Sequence, residues 1–411
     1  MAKNFNDRIW VAIDIGTTKI CVLVARGTSS EHLELIGIGK SPSQGLRRGI
    51  VVDIAKTVES IRSAAAEAQL MAGISIDSAV IGISGAHIQS RNLMGAVPIK
   101  KGEVRLNDIA NAMNAAQAIA LPEGQQILHV LPQFFTIDGQ EPVFDPLGMY
   151  GVRLEVKVHI ITGSVASVQN LIKCCEMAGI KATDIVLEQL ASAAAVLSDD
   201  ERELGVGVLD IGGGTSDFAI YKQGGIRHTK VIPIAGNLFT SDLAICLNAT
   251  LKDAERVKQE FGVVHLTSLH KESDIIIEMI HGGQQRSVHM LDLIRILQPR
   301  AQELLEMVHQ EISNFNLKPL MRTGLVLTGG SSLLRGLPLL TQELLALPAR
   351  VGCPRSIGVL PEALTHPMYA TSYGLLLHEI HKKRQNKLLG VEGPMIKQVF
   401  SRMKSWVSDF F

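Results

Sequence analysis

Short apolar runs broken by glycine turns alternate along this chain with stretches whose apolar residues recur at helical spacing. Ile9 to Ile13 and Ile20 to Ala25 are β-rich runs on either side of Gly16-Thr17-Thr18, a strand–turn–strand pattern. Val58 to Met71 predicts a helix closed by Gly73, and Ala79 to Ile83 a short strand. From about His87 to Gly163 short helices and strands mix, punctuated by Pro98, Pro122, Pro132, Pro142 and Pro146, and the segment reads as an inserted module. Val156 to Ile161 predicts a strand, and Val165 to Met177 a helix ending at Gly179. The pattern then restarts. Val206 to Leu209, a glycine turn and Phe218 to Tyr221 repeat the opening hairpin. Leu251 to Phe261 and Leu291 to Phe315 predict helices, Leu325 to Leu327 a strand, and Tyr369 to Lys383 a last helix before a polar linker from Arg384 to Gly393. Strands alternating with helices indicate an α/β fold.

Composition narrows the classes. The 411 residues suggest two to four domains. Forty Lys plus Arg balance 40 Asp plus Glu, so the basic excess of a nucleic-acid binder is missing. A 46% hydrophobic content supplies a sizeable core, and 4% aromatics make that core aliphatic. The five cysteines are scattered and never spaced C-x-x-C, which fits a reducing cytoplasm rather than a disulfide framework or zinc site. His378-Glu379-Ile380-His381 is one residue short of the helical zinc motif. Asp7, Arg8 and Asp14 bracket an apolar run too short for a signal peptide, and no run approaches the roughly 18–20 residues that span a bilayer.

The informative feature is an internal echo. Ile13-Asp14-Ile15-Gly16-Thr17-Thr18 recurs as Leu209-Asp210-Ile211-Gly212-Gly213-Gly214-Thr215, with Asp210 standing 196 residues after Asp14. Glycines let backbone N–H groups close around phosphate oxygens, threonine hydroxyls add donors, and the two aspartates can hold waters around Mg²⁺. Thr328-Gly329-Gly330-Ser331-Ser332, between a strand and a helix, can pass close to a nucleoside and leave N–H groups free. Together the three turns predict phosphate binding. Gly39-Lys40-Ser41 imitates the end of a P-loop, but Glu34 stands where that motif needs glycine and Pro42 follows.

Duplicated D-x-G turns with a late Gly-Gly resemble the actin, sugar-kinase and heat-shock-chaperone superfamily. Within it the chain resembles the bacterial FtsA family, in Glu203 to Val206, Val208 to Thr215, Arg227 to Pro233, Val326 to Gly330, Gly151-Val152-Arg153 and Lys157-Val158-His159. The resemblance implies an actin-like two-lobe fold with duplicated ribonuclease-H-like cores. Subdomain 1A would take residues 1–85, 164–202 and 366–383, and inserted subdomain 1C residues 86–163. Subdomain 2A would take 203–237 and 303–365, and 2B residues 238–302. It implies ATP and Mg²⁺ as cofactors. Asp14, Gly16, Thr17, Thr18 and Lys19 would form the first phosphate turn, and Asp210, Gly212, Gly213, Gly214 and Thr215 the second. Gly236, Glu255, Lys258, Gly329, Gly330 and Ser331 would hold the nucleoside, although Glu255 and Lys258 also read as a solvated i, i+3 pair. Asp14 and Asp210 would hold Mg²⁺ through water. Gln189 would orient the attacking water, with neighbouring Glu188 easily confused with it and a core-helix role as the alternative; the family implies at most weak ATPase activity. Arg300 and Glu303 would meet the C-terminal tail of FtsZ, unless they are an ordinary charged helix start after Pro299.

The last 18 residues, 394–411, add a physical argument of their own. Ile396, Val399, Phe400, Met403, Trp406, Val407, Phe410 and Phe411 fall on one helical face, with Lys397, Arg402 and Lys404 on the other. At about 1.5 Å per residue such a helix is about 25 Å long and suited to lie in an anionic bilayer interface rather than cross it; the alternative is a terminal helix docked on the body. One helix binds reversibly, so a homopolymer would raise avidity. The expected protein is therefore a peripheral one on the cytoplasmic face of the inner membrane, at the division septum. It would polymerise, tether the FtsZ ring and recruit later divisome membrane proteins, with no nucleic-acid partner. A small-molecule kinase of the same superfamily and the pilus-assembly FtsA-like protein are the alternatives; the kinase would need a catalytic aspartate beyond the two in the turns.

Overall fold

The computed structural model describes residues 8–27, 33–268, 274–279, 285–355 and 364–388. The tail residues 394–411 and the end of the expected linker lie outside the described residues. The chain opens with an antiparallel meander of β1 (Arg8–Ile15), β2 (Lys19–Gly27) and β3 (Leu33–Pro42). A small hairpin, β4 (Leu46–Arg47) and β5 (Ile50–Val51), leads into α1 (Ile54–Ala72). Asp53 caps α1 by accepting the Lys56 N–H, and Gly73 closes it in the left-handed conformation at φ 68°. β6 (Ser78–Ile83) then lies parallel to β1.

Here the inserted module begins: β7 (Gln89–Pro98), α2 (Leu106–Gln117), β8 (Gln125–Ile137) and β9 (Arg153–Ser164). Its three strands pair antiparallel in the order β7-β9-β8, and Met113, Phe135, Val156 and Val158 lie in its separate core. The chain returns through α3 (Val165–Met177) and β10 (Lys181–Leu187), which runs parallel to β6 and completes a sheet ordered β10-β6-β1-β2-β3. α4 (Glu188–Val196) and α5 (Asp199–Leu204) lead to the second half.

The second half repeats the first. β11 (Val206–Ile211), β12 (Ser216–Lys222) and β13 (Gly225–Ile232) form the meander. α6 (Gly236–Leu247) and α7 (Leu251–Phe261) precede a hairpin of β14 (Asp274–Glu278) and β15 (Gln285–His289). α8 (Met290–Asn314) leads to β16 (Leu325–Thr328), parallel to β11, and α9 (Leu337–Leu345) to β17 (Ala349–Val351), giving the order β13-β12-β11-β16-β17. The last element is α10 (Ala370–Leu388).

Alternation along β1 explains the layers. Ile13 and Ile15 point into a core with Val22, Ile61 of α1 and Leu171 of α3, while Ala12 points the other way, with Cys21 and Leu23, toward Leu190 of α4 and Tyr373 and Leu376 of α10. That second core also takes Val208, Ala219 and Tyr221 from the second sheet, so α4 and α10 lie between the two sheets. Both faces of the central strands are covered, which is why they read as unbroken apolar runs. The two helices cross closely, since a Cβ on Gly374 would meet the Ala191 carbonyl oxygen at 1.7 Å.

Three departures from the sequence reading stand out. β3 was not anticipated, because Gly37, Gly39 and Lys40 dilute its alternation. α8 continues through Pro299, so Arg300 and Glu303 sit inside the helix that the Leu291 to Phe315 spacing predicts and not at the helix start given as the alternative. α10 continues past Arg384 to Leu388, into the segment expected to be a linker.

Candidate functional site

The two D-x-G hairpins face each other across a cleft between the lobes. In each the glycine after the aspartate closes the turn: Gly16 N–H donates to Lys19 O and Gly212 N–H to Thr215 O, both at 3.1 Å. The turns mesh. A Cβ on Gly213 would fall 2.2 Å from Thr18 Cγ2, and one on Gly214 2.3 Å from Thr17 Oγ1. The cleft has a volume of about 390 Å³, in the range of small-molecule sites.

Its walls gather nearly every residue expected there. Asp14, Gly16, Thr17, Thr18 and Lys19 line it from the first turn, and Asp210, Gly212, Gly213, Gly214 and Thr215 from the second. Gly236, Glu255, Lys258, Gly329, Gly330 and Ser331 line the far end. Lys258 Nζ donates to Glu255 Oε2 at 2.7 Å, Thr240 Oγ1 at 2.9 Å and the Gly236 carbonyl at 3.1 Å, which fastens α7 to the start of α6. Gly329 takes φ 81°, and a Cβ there would collide with Asp210 Oδ1 at 2.3 Å.

Gln189 is the exception. It is fully buried inside α4, outside the cleft lining, and its amide atoms have no hydrogen-bond partner among the described residues. The preceding residue, Glu188, lines the cleft instead. One residue along a helix turns a side chain by about 100°, enough to exchange cleft for core. Arg300 and Glu303 also lie elsewhere. Arg300 grips both carboxylate oxygens of Asp242 on α6, with Nε at 2.7 Å and Nη2 at 3.0 Å, and pairs with Glu303 one turn on.

Sequence reasoning missed Asp217, Ser84, Asn237, Gln259, His366, Met368 and Thr371. Asp217 pairs with Asp210 across the β11–β12 hairpin, so counting outward from the turn would have found it. Ser84 Oγ donates to Asp217 Oδ1 at 2.6 Å, and Thr371 Oγ1 to Asp210 Oδ2 at 2.7 Å. His366, Met368 and Thr371 arrive from the far end of the chain, and no local spacing announces them. Lys19 Nζ donates to the Met368 carbonyl at 2.6 Å and lies 3.7 Å from Asp14 Oδ2.

The electrostatics are lopsided. Burial pushes Asp14 up, and Lys19 only partly offsets it. Burial, with Asp14 adding to it, raises Asp210 to about 6 despite the Thr371 hydrogen bond. Asp217 is pushed up to about 7 by burial, against the Ser84 hydrogen bond and with Asp210 adding to the rise. Burial together with the charges of Asp14, Asp217 and Asp210 raises Glu188 well above the carboxylate range. Four carboxylates share this end with one nearby ammonium, Lys19. Such a surface suits a divalent cation far better than a bare anion.

Comparisons with known proteins agree over the whole chain. A model for the SHS2 domain inserted in FtsA matches residues 85–162, and one for the cell division protein FtsA matches residues 207–374. The chain is 41% identical to the cell division protein FtsA of Pseudomonas aeruginosa, over 100% of both chains. It is 36% identical to those of Escherichia coli K12, over 99% of this chain and 97% of that one, and Bacillus subtilis, over 95% and 88%. Among solved structures, the PilM–PilN type IV pilus biogenesis complex superposes with a TM-score of 0.66 at 20% identity, over 90% of this chain and 98% of that one. MreB5 of Spiroplasma citri bound to ADP gives 0.57 at 15% identity, over 93% and 99%. Those two likenesses speak for the actin-like fold alone. The identity over full length decides the rest: the chain belongs to the FtsA family of actin-like cell-division proteins.

Proposed function

We propose that the chain binds ATP with Mg²⁺ in this cleft and polymerises on the cytoplasmic face of the inner membrane at the septum. There it would anchor the FtsZ ring and recruit later divisome proteins. The observation that carries the nucleotide reading is the meshing of the two glycine turns, which brings the backbone of both lobes to line one cleft. Asp14 and Asp210 would hold the hydrated ion, which would supply the positive charge that four clustered carboxylates and a polyphosphate need. Among the described residues no group of three His, Cys, Asp or Glu side chains could hold a metal directly, and a water-mediated site asks for none. Glu255 and Lys258, with Gly329, Gly330 and Ser331, would frame the nucleoside. MreB5 of Spiroplasma citri has been solved with ADP and with AMPPNP, which supports the same class of ligand here.

For hydrolysis the cleft lining offers Glu188 but not Gln189, the residue to which the family resemblance would give the attacking water. Weak ATPase activity is the expected result. Anchoring falls to the amphipathic tail, and contact with the FtsZ tail to the α8 surface around Arg300 and Glu303. Among the described residues no helix is long and apolar enough to cross a membrane.

Two assays test these assignments. Titration of the full chain with a fluorescent ATP analogue should saturate only with Mg²⁺ present; saturation unaffected by Mg²⁺ would overturn the metal assignment. Co-sedimentation with anionic vesicles should pellet the full chain and leave a truncation after Gly393 in solution. Equal behaviour of the two would make the tail a docked helix and move the reading toward a nucleotide-dependent enzyme without an anchor.

A further inference from the structure

The inserted subdomain leaves lobe 1 after β6 and returns through β9, yet its best-defined polar contacts are with lobe 2. β13 is an edge strand of the second sheet, and its outward carbonyls are capped by side chains of the inserted sheet. Ser90 Oγ donates to Thr229 O at 2.9 Å, and Asn92 Nδ2 to Arg227 O at 3.1 Å. Gln133 Nε2 donates to Ile226 O at 2.9 Å and to Asn92 Oδ1 at 3.1 Å. His159 bridges Asn92 Oδ1 through Nδ1 at 2.6 Å and Thr229 Oγ1 through Nε2 at 2.9 Å.

The network fixes its own polarity. Asn92 Oδ1 can only accept, so His159 Nδ1 carries the proton, and Nε2 accepts from the Thr229 hydroxyl. Burial keeps the ring neutral, its pKa lowered to about 3. Gln133 and His159 are nearly inaccessible, whereas Ser90 is half-buried and Asn92 exposed, so the seam has a buried inner side and a solvated rim along β7. It is also built from side chains rather than a continuous strand ladder, so it can open without unfolding either sheet.

Two contacts place the neighbourhood of this subdomain beside cleft residues. Ser84, the residue before its first turn, donates to Asp217, and Gly85 follows it at φ 135°, a conformation in which a hinge is at ease. His129 Nε2 on β8 accepts the Leu187 N–H at 3.1 Å, immediately before Glu188.

We propose that the inserted subdomain is a clamp: grown from lobe 1 and fastened to β13 of lobe 2, it ties its own orientation to the relative position of the lobes and hence to nucleotide in the cleft. The second half rests on the nucleotide reading above; the clamp itself does not. By linkage, a seam that favours one lobe arrangement must alter nucleotide affinity at a distance.

The test uses the full chain with spin labels on native Cys246 of α6 and on Met94→Cys of β7, both exposed, with exposed Cys353 replaced by serine. The parent should give one narrow distance. Asn92→Ala and His159→Leu should add a longer, broader population, and Ser90→Ala, which removes a single hydrogen bond to β13, a smaller one. Melting curves confirm that each variant is folded. The affinity for a fluorescent ATP analogue with Mg²⁺ should change by about fivefold or more in Asn92→Ala, the low end of ordinary coupling. Parent-like distances in all three folded variants overturn the clamp. Broadened distances with unchanged affinity overturn its coupling to the cleft. A parent that binds no nucleotide overturns the nucleotide reading, while the distances still decide the clamp.

Discussion

The two glycine turns share one backbone and differ in what they place on it. Each starts from an aspartate at the end of a central strand, and each closes with the same N–H to carbonyl bond four residues wide. In register, Thr17 and Thr18 of the first stand where the second has Gly213 and Gly214, Lys19 where it has Thr215, and Cys21 where it has Asp217. The first turn supplies side chains and the second supplies the space they fill. The first also brings a cation and the second an extra carboxylate. The repeat therefore keeps the geometry of the turn and lets the charges diverge, so the halves fit each other as bump and hollow rather than as mirror images.

Filling the hollow should have the largest effect. Gly214→Ala puts a Cβ 2.8 Å from the Thr17 Cβ, which no rotamer can move, and Gly213→Ala puts one 3.0 Å from the Thr18 Cβ. Either should part the turns and weaken binding of the ATP analogue by at least about 100-fold, or about 2.7 kcal/mol. Gly73→Ala is the control: its added Cβ meets nothing within 4 Å, so it strains only the end of α1 and leaves affinity unchanged. If Gly214→Ala binds like the parent, the meshing does not set the cleft.

How much of this the sequence carried follows from what is local. The echo of Asp14 in Asp210 was legible because a glycine turn after an apolar strand is a local pattern, and the helices from Val165 and from Leu251 were legible from spacing and closing glycines. Glu188 was not. Choosing it over Gln189 needs the phase of α4, which is set by its packing against α10 and both sheets. Thr371 and Met368 reach the cleft only because α10 threads between the lobes, and the Ser84–Asp217 bond joins positions 133 residues apart. Tertiary placement created those parts of the site. The capping of β13 by Ser90 and Asn92 is of the same kind.

The charge difference between the turns gives the next prediction. Asp217 holds its proton to about 7 in the fold, against an ordinary value of 3.8, and Asp210 to about 6. Between about pH 4 and 7 the folded protein therefore binds more protons than the unfolded chain, so these groups make stability fall as pH rises through that window and level off above it. Asp217→Asn removes the larger share. It should raise the unfolding free energy measured by urea titration at pH 8 by of order 1 kcal/mol or more, and make the decline from pH 5 to pH 8 shallower. A steeper decline in the variant would mean that the Asp217 charge is stabilised by its surroundings, and the contrast with Cys21 would lose its electrostatic content.

The smallest predicted effect concerns the outer edges of the two meanders, where the lobes again solve one problem differently. β13 is capped by a whole subdomain, whereas β3 is capped by its own helix: the Lys40 N–H donates to Glu67 Oε2 at 2.6 Å and the Ile38 N–H to Met71 Sδ at 3.3 Å. Both devices occupy edge groups that could otherwise pair with another chain. The β3 cap is exposed, so water can replace it, and Glu67→Ala should cost no more than about 1 kcal/mol. Hydrogen exchange should nonetheless register the loss: the Lys40 amide should exchange faster in Glu67→Ala, while β13 keeps its protection because its cover comes from elsewhere. Unchanged exchange at Lys40 would show that solvent serves that amide as well as the carboxylate does. The edge would then owe its protection to the burial of its alternate residues against α1, and the comparison between the lobes would reduce to packing.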